Sequence, residues 1–121
     1  MNLSEFPIEI SRHQRKLLAQ DQLVRRMQSD VDQLIAQIDY ETAFDTELKN
    51  DAQRKAKRLE RMTADPYLGS AEELQAAIDR RIDLRIGLQL LQNQFDVAKL
   101  ELTEIVAQHR VFSGNGAGVL L

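Results

Sequence analysis

Two carboxylates, Glu41 and Asp45, stand one turn apart in a segment predicted to be helical, so their side chains share a face. Carboxylates at this spacing can ligate a divalent cation. A di-iron bundle, however, needs Glu-x-x-His pairs, and neither His13 nor His109 has a Glu three residues before it. We therefore predict no metal and no other cofactor. We interpret Glu41 and Asp45, with Arg81 of a second helix, as a polar layer that sets the register of packed helices.

A basic band follows this acidic segment, and Lys and Arg clusters are what a phosphate backbone binds. Its members are Arg54, Lys55, Lys57, Arg58 and Arg61. Residues 49–85 nevertheless carry nine basic and seven acidic side chains, a net of +2, and the whole chain has a formal net charge of -3. The pattern favours a solvated, cross-paired helix face. A nucleic-acid-associated accessory protein is kept as the alternative.

Three glycines near the C-terminus, Gly114, Gly116 and Gly118, superficially suggest a phosphate-binding loop. Such a loop needs a strand before it and a helix after it, whereas here a predicted helix precedes and only three residues follow. The composition predicts a flexible Gly-rich tail over residues 110–121. Its last three residues are alternatively a short apolar docking peptide. No catalytic motif is present and Cys is absent, so we expect no enzyme.

The element that must position these residues is a long helix predicted over residues 11–64, a stretch without Pro or Gly. Residues 1–10 are predicted to be an extended lead-in, because Pro7 disfavours the helical conformation for the residue before it. Apolar residues then recur at the seven-residue period of a coiled-coil seam. The seam positions are Ile10, Leu17, Val24, Met27, Val31, Leu34, Ile38, Leu48, Ala52, Leu59 and Met62.

Pro66 and Gly69 predict a turn over residues 65–69, and a capping box of Ser70 with Glu73 then starts a second helix over residues 70–109. An interrupted first helix is the alternative, because an N-cap at Ser29 would break this helix near Gln28. In that case residues 11–28 would fold back on the rest.

The second helix carries more apolar surface than one neighbour can cover, because a second stripe runs along it. The stripe consists of Ile82, Ile86, Leu90, Val97 and Leu100. The first helix is also longer, which leaves about fourteen residues at its start without an intramolecular neighbour. Those residues include Leu17, Leu18, Leu23 and Val24. The second stripe and the uncovered start of the first helix both predict a homodimer that forms a four-helix bundle.

The sequence therefore predicts an all-α fold, a long antiparallel helical hairpin of coiled-coil type. The expected function is a non-enzymatic protein–protein interaction module, such as a coiled-coil scaffold, adaptor or assembly factor, whose partners are a second copy and another protein. No apolar run approaches the roughly 18 residues of a membrane span, and the N-terminus lacks a secretion signal. We expect no membrane association and a cytoplasmic location.

Overall fold

The computed structural model describes the backbone of residues 1–120 and the side chains of residues 1–111. This part of the chain is helical and contains no strand, so the all-α class is confirmed. A short 3-10 helix, Leu3–Glu5, precedes three α-helices: α1 (Phe6–Ala43), α2 (Asp51–Met62) and α3 (Tyr67–Leu120). The chain divides into a central unit, Lys16–Leu84, and a terminal unit of Met1–Arg15 with Arg85–Leu121.

The N-terminal lead-in is helical, not extended as the sequence predicted. Asn2 caps the first turn, because its Oδ1 accepts a hydrogen bond from the Glu5 N–H at 3.2 Å. The Glu5 carboxylate in turn accepts one from the Asn2 N–H at 3.1 Å, which completes a capping box. Pro7 follows Phe6 in the first turn of α1, where the missing N–H of proline costs no intrahelical bond.

The predicted helix over residues 11–64 is wrong in its second half, because the chain leaves the helical conformation between Ala43 and Asp51. Asp45 Oδ1 accepts the Glu47 N–H at 2.9 Å, a local bond that competes with the helix. Asn50 then caps α2 by accepting the Gln53 N–H at 2.9 Å. The break considered near Gln28 does not occur, and Gln28 donates along the face of α1 to Asp32 at 3.0 Å.

The third helix begins at Tyr67, three residues before the predicted start at Ser70. The reason is Asp65, whose Oδ1 accepts the Gly69 N–H at 2.9 Å and so satisfies a free donor of the first turn. A Cβ at Gly69 would lie 2.8 Å from that oxygen, so a larger residue would displace the Asp65 carboxylate from this hydrogen bond. The peptide bond between Asp65 and Pro66 is cis.

The same helix continues to Leu120, beyond the predicted end at residue 109. Glycine lowers helix stability by about 1 kcal/mol relative to alanine but keeps its N–H, so the Gly-rich segment does not end the helix as proline would. The prediction of a flexible tail over residues 110–121 falls almost wholly outside the described side chains. The same holds for the docking-peptide alternative.

The core of the central unit lies where α1 packs against the N-terminal part of α3. Four buried residues form it: Val24, Val31, Leu74 and Ala77. Met27, Ile35, Tyr67 and Ile78 pack around this cluster, partly buried. One polar contact supports it, because the Gln20 side chain donates to the Ala77 carbonyl at 2.9 Å. Val24 and Val31, two positions of the predicted seam, are therefore buried in this core. Burial of an aliphatic side chain of this size contributes up to about 1.5–3 kcal/mol.

In the terminal unit, Phe6 is buried, and its ring centre lies 5.3 Å from that of Phe95 on α3. Lys99 Nζ lies over the Phe95 ring, 4.5 Å from its centroid. Residues 101–111 of α3 are all exposed. The start of the first helix therefore has a neighbour within the chain, contrary to the prediction, because Phe6 packs against α3. The uncovered residues of this unit lie instead at positions 101–111 of α3.

Candidate interaction surfaces

The predicted polar layer of Glu41, Asp45 and Arg81 does not assemble. Glu41 is exposed in the last turn of α1, where Gln37 donates to it at 3.1 Å and Arg61 of α2 forms an ion pair with it. The Arg61 hydrogen bond, helped by that of Gln37, holds the pKa of Glu41 below its ordinary value. Asp45 lies beyond the end of α1 and caps a turn. The two carboxylates are separated because α1 ends between them.

Arg81 pairs with Asp21 of α1 and not with Glu41 or Asp45. Its Nε lies 3.8 Å from Asp21 Oδ1, and both side chains are about three-quarters buried. This distance exceeds that of a hydrogen bond, so the attraction between the two atoms is ionic. The pair bridges α1 and α3 beside the core cluster, and its role is to join these helices.

The basic band is largely neutralised within the central unit. Arg58 Nε donates to Asp39 Oδ1 at 2.6 Å, and Arg61 pairs with Glu41, so two of its five cations hold α2 to the end of α1. Two more have carboxylate neighbours on α2 itself: Arg54 with Asp51 and Lys57 with Glu60. Lys55 alone has no ion pair among the described residues. This arrangement matches the cross-paired face and leaves little free charge for a phosphate backbone.

The second stripe of α3 is exposed, as the sequence indicated. In the terminal unit it comprises Ile86, Leu90, Val97 and Leu100, which are 53–64% exposed. We call these four residues the α3 stripe. Asn93 completes their three-and-four spacing, and its Oδ1 accepts a hydrogen bond from Gln89 at 2.9 Å. A polar residue at one such position specifies how a partner helix aligns.

A shallow groove of about 370 Å³ lies along the middle of this stripe. It is lined by Leu90, Asn93, Gln94, Val97, Ala98 and Glu101. Aliphatic walls with a few amide groups suit the apolar face of a helix, which anchors at residues three, four and seven apart. The groove is therefore a candidate docking surface for a helix.

The other predicted interface residues belong to the central unit and have different environments. Val24 is 5% exposed in the core cluster, so its assignment to an oligomer interface is wrong. Leu17 and Leu23 are partly buried. Leu18 and Ile82 are 57% and 47% exposed and remain available for contact.

Two further features were not singled out from the sequence. Tyr40 and Phe44 are 67% and 71% exposed and touch, with ring centres 4.8 Å apart. Their four-residue spacing, with no other aromatic nearby, is the sequence signal that would have found them. The second feature is a groove of about 330 Å³ between α1 and α3, lined by Lys16, Ala19, Gln20, Leu23, Arg26, Arg80 and Leu84. Lys16 and Arg26 come from α1 and Arg80 comes from α3, so only the fold brings these three cations together.

Among the side chains described, 1–111, no cluster of three or more His, Asp or Glu residues has the arrangement of a metal site. His13 Nδ1 lies 2.8 Å from the Glu9 carbonyl oxygen, a local helix contact. No helix in the described part of the chain combines the length and apolar character needed to span a bilayer.

Comparisons with protein-family models, with curated proteins and with solved structures find no match to this chain.

Proposed function

We propose that this chain is a non-enzymatic protein–protein interaction module that works as a homodimer and presents the α3 stripe to a helix of another protein. The supporting observation is the exposure of Ile86, Leu90, Val97 and Leu100, each more than half accessible along one side of α3. Monomeric proteins seldom leave such an apolar run uncovered, and large exposed runs mark interaction sites.

The partner chemistry follows from the stripe itself. Its residues repeat at three and four positions over about 21 Å, which is the footprint of roughly four turns of helix. An amphipathic helix with aliphatic anchors at the same spacing fits this surface. Glu101 at the rim of the groove favours a partner with a Lys or Arg beside its apolar face.

The homodimer is the finer part of the proposal. Two copies, each contributing α1 and α3, would form a four-helix bundle, a common arrangement of paired helices, through a surface other than the α3 stripe. Closed two-fold dimers are also the commonest assemblies. Sedimentation of the purified full chain up to high micromolar concentration tests this part, and a strictly monomeric protein would contradict it.

Affinity purification from the native host in mild salt tests the stripe. Three tagged full-length chains are compared: the wild type, Leu90→Glu with Val97→Glu, and a control with Thr103→Glu and Gln108→Glu. The control adds the same charge at exposed polar positions of α3 outside the stripe. We expect proteins that the wild type and the control retain and the stripe variant loses. Identical recoveries from all three chains would refute the stripe as the binding surface.

The nucleic-acid alternative has weaker support, because four of the five cations of the basic band are ion-paired. A salt titration with single- and double-stranded RNA and DNA decides the matter. Binding through phosphates must be detectable at low salt and weaken steeply as salt rises. We expect no binding at 50 mM salt.

A further inference from the structure

The central unit carries two complementary surfaces to which α1 contributes, neither of which has a partner within the described residues. One is the exposed pair of Tyr40 and Phe44, which we call the aromatic knob. The other is the groove with Lys16, Arg26 and Arg80 at its edges, which we call the basic groove. Exposed aromatic residues and Arg are the side chains most enriched at the energetic centres of interfaces.

The basic groove suits an acidic and aromatic ligand. Ala19, Leu23 and Leu84 supply apolar surface between the three cations, and no carboxylate lines the groove. None of the three cations has an ion-pair partner among the described residues, in contrast to the basic band. Rings can therefore pack on the aliphatic floor and on the guanidinium groups while nearby carboxylates meet the cations.

The aromatic knob has that chemistry. Asp45 and Glu47 follow Phe44 directly, and among the described residues neither carboxylate has a cation partner. Asp39 and Glu41 add further negative charge, although Arg58 and Arg61 offset it. No Lys or Arg occurs between residues 39 and 47. The charge of the knob region is thus opposite to that of the groove.

One edge of the basic groove lies on the same side of α1 as the aromatic knob. Phe44 follows Arg26 by eighteen residues, about five full turns, so these two side chains project in nearly the same direction and lie roughly 27 Å apart. The Phe44 N–H donates to the Tyr40 carbonyl at 3.1 Å, which continues the α-helical turn to this residue. A knob cannot reach the groove of its own chain along a straight helix, but it can reach that of a second copy running in the opposite direction.

We infer that two copies of this chain join through this side of α1, each inserting its aromatic knob into the basic groove of the other. The contact is isologous, so one two-fold axis forms it twice. It rests on the homodimer of the proposed function and identifies the dimer surface. It also leaves the α3 stripe free for another protein.

The available area agrees with a dimer of modest affinity. Four rings, about two-thirds exposed, can each bury about 150–250 Å² when fully covered, which gives roughly 400–650 Å². The grooves that cover them lose a similar area, for a total of about 1,000 Å². This value is the lower limit for a specific interface. Interfaces near this limit belong to weak, reversible complexes, and the association should weaken further in high salt because salt screens the charges.

Sedimentation equilibrium of the full chain tests the inference, from about 5 to 200 μM at low and high salt. Tyr40→Ala with Phe44→Ala removes the knob, and Arg26→Glu with Arg80→Glu reverses the groove. We expect each change to raise the dissociation constant at least tenfold. Leu59→Ala and Lys55→Glu are the matched controls, since both residues are exposed on α2, and they should dimerise as the wild type does. Circular dichroism confirms that every variant keeps its helix content.

A mixing experiment gives the sharpest outcome. A chain with Arg26→Glu and Arg80→Glu has an acidic groove, and a chain with Asp45→Lys and Glu47→Lys has a basic knob. Neither should self-associate, whereas an equimolar mixture should form a 1:1 dimer, because every groove then meets a knob of opposite charge. No dimer in this mixture, with wild-type chain dimerising normally, would refute the inference.

The remaining outcomes separate this inference from the proposed function. If the dimer is lost in the variant with Leu90→Glu and Val97→Glu but kept in both the knob and the groove variants, the dimer interface lies on α3. That outcome refutes the α1 contact but not the homodimer. A wild-type chain monomeric at 200 μM refutes both the homodimer and the contact. If a monomeric chain binds an RNA 20-mer, and reversing the charge of the groove abolishes that binding, the groove is a nucleic-acid site. That outcome also refutes the α1 contact.

Discussion

Asp21 on α1 and Arg81 on α3 face each other beside the core of the central unit, with Oδ1 and Nε 3.8 Å apart. Each side chain is about one-quarter exposed, so water screens the pair less than it does a surface ion pair. Val24 and Ala77 are buried in the adjoining core. The pair therefore contributes to how α1 and α3 pack together.

A double-mutant cycle on Asp21→Asn and Arg81→Gln should give a coupling free energy of about 1 kcal/mol. This lies above the usual worth of exposed pairs and below the cost of breaking a fully buried one. Urea unfolding of the four proteins measures it. The cycle is needed because Asp21 has a further interaction that a single substitution would also remove.

The pair of Arg54 and Asp51 on α2 provides the control. The Asp51 side chain is 90% exposed, so the same cycle there should give less than about 0.5 kcal/mol. Equal coupling at the two sites would show that partial burial adds nothing to the pair on α1 and α3.

Leu74→Ala should destabilise the protein by about 2–4 kcal/mol, because Leu74 is 8% exposed within the core cluster and truncation leaves a cavity. Leu100→Ala removes the same atoms from a residue that is 64% exposed and should change the unfolding free energy by less than about 0.5 kcal/mol. Thermal and urea unfolding at low protein concentration compare the two variants. A similar loss in both would mean that the α3 stripe is covered in the folded protein.

The heptad pattern predicts the core well where a second helix runs beside it. Val24, Val31 and Ile38 on α1 are all buried, and so are Leu74 and Leu91 on α3. Periodicity alone could not locate the ends of these elements. It continues past residue 43 through Leu59, which is 65% exposed, because a repeat in the sequence does not reveal whether the backbone stays helical.

Local capping chemistry carried the missing information. Asn50 with Gln53 has the spacing of a capping box and marks the start of α2, just as Asn2 with Glu5 marks the N-terminal helix.

The surfaces that bear on function were harder to predict. The basic groove unites Lys16, Arg26 and Arg80 from α1 and α3, and no pattern along the chain places these residues side by side.

Glu41→Gln should change the acid dependence of stability. The pKa of Glu41 is lowered in the folded protein, mainly by its hydrogen bond with Arg61. A lowered folded pKa contributes stability that is fully present above the unfolded value of about 4.5 and is lost as the pH falls through the folded pKa. The melting temperatures of wild type and variant should therefore differ at neutral pH and converge in strong acid.

Thermal melts between pH 2 and pH 7 measure this difference. Asp51→Asn, which removes a carboxylate from an exposed ion pair on α2, is the control and should show a smaller difference. If the melting temperatures of wild type and Glu41→Gln still differ at pH 2, the substitution acts through packing and not through the charge.

Asn50→Ala should loosen the start of α2 and cost about 1 kcal/mol, the usual effect of removing an N-cap acceptor. The Asn50 side chain accepts the Gln53 N–H at 2.9 Å, and α2 is only twelve residues long. A short helix depends strongly on its caps, because few internal hydrogen bonds offset the cost of nucleation. Hydrogen exchange should therefore accelerate at the Gln53 amide, with little change at the amides of α1 near Val31.

Asn50→Asp is the control, because it keeps an acceptor and adds a negative charge at the positive end of the helix dipole. The Gln53 amide of this variant should exchange no faster than that of the wild type. Equal exchange in the alanine and aspartate variants would show that α2 is held by its ion pairs to α1 and not by its cap.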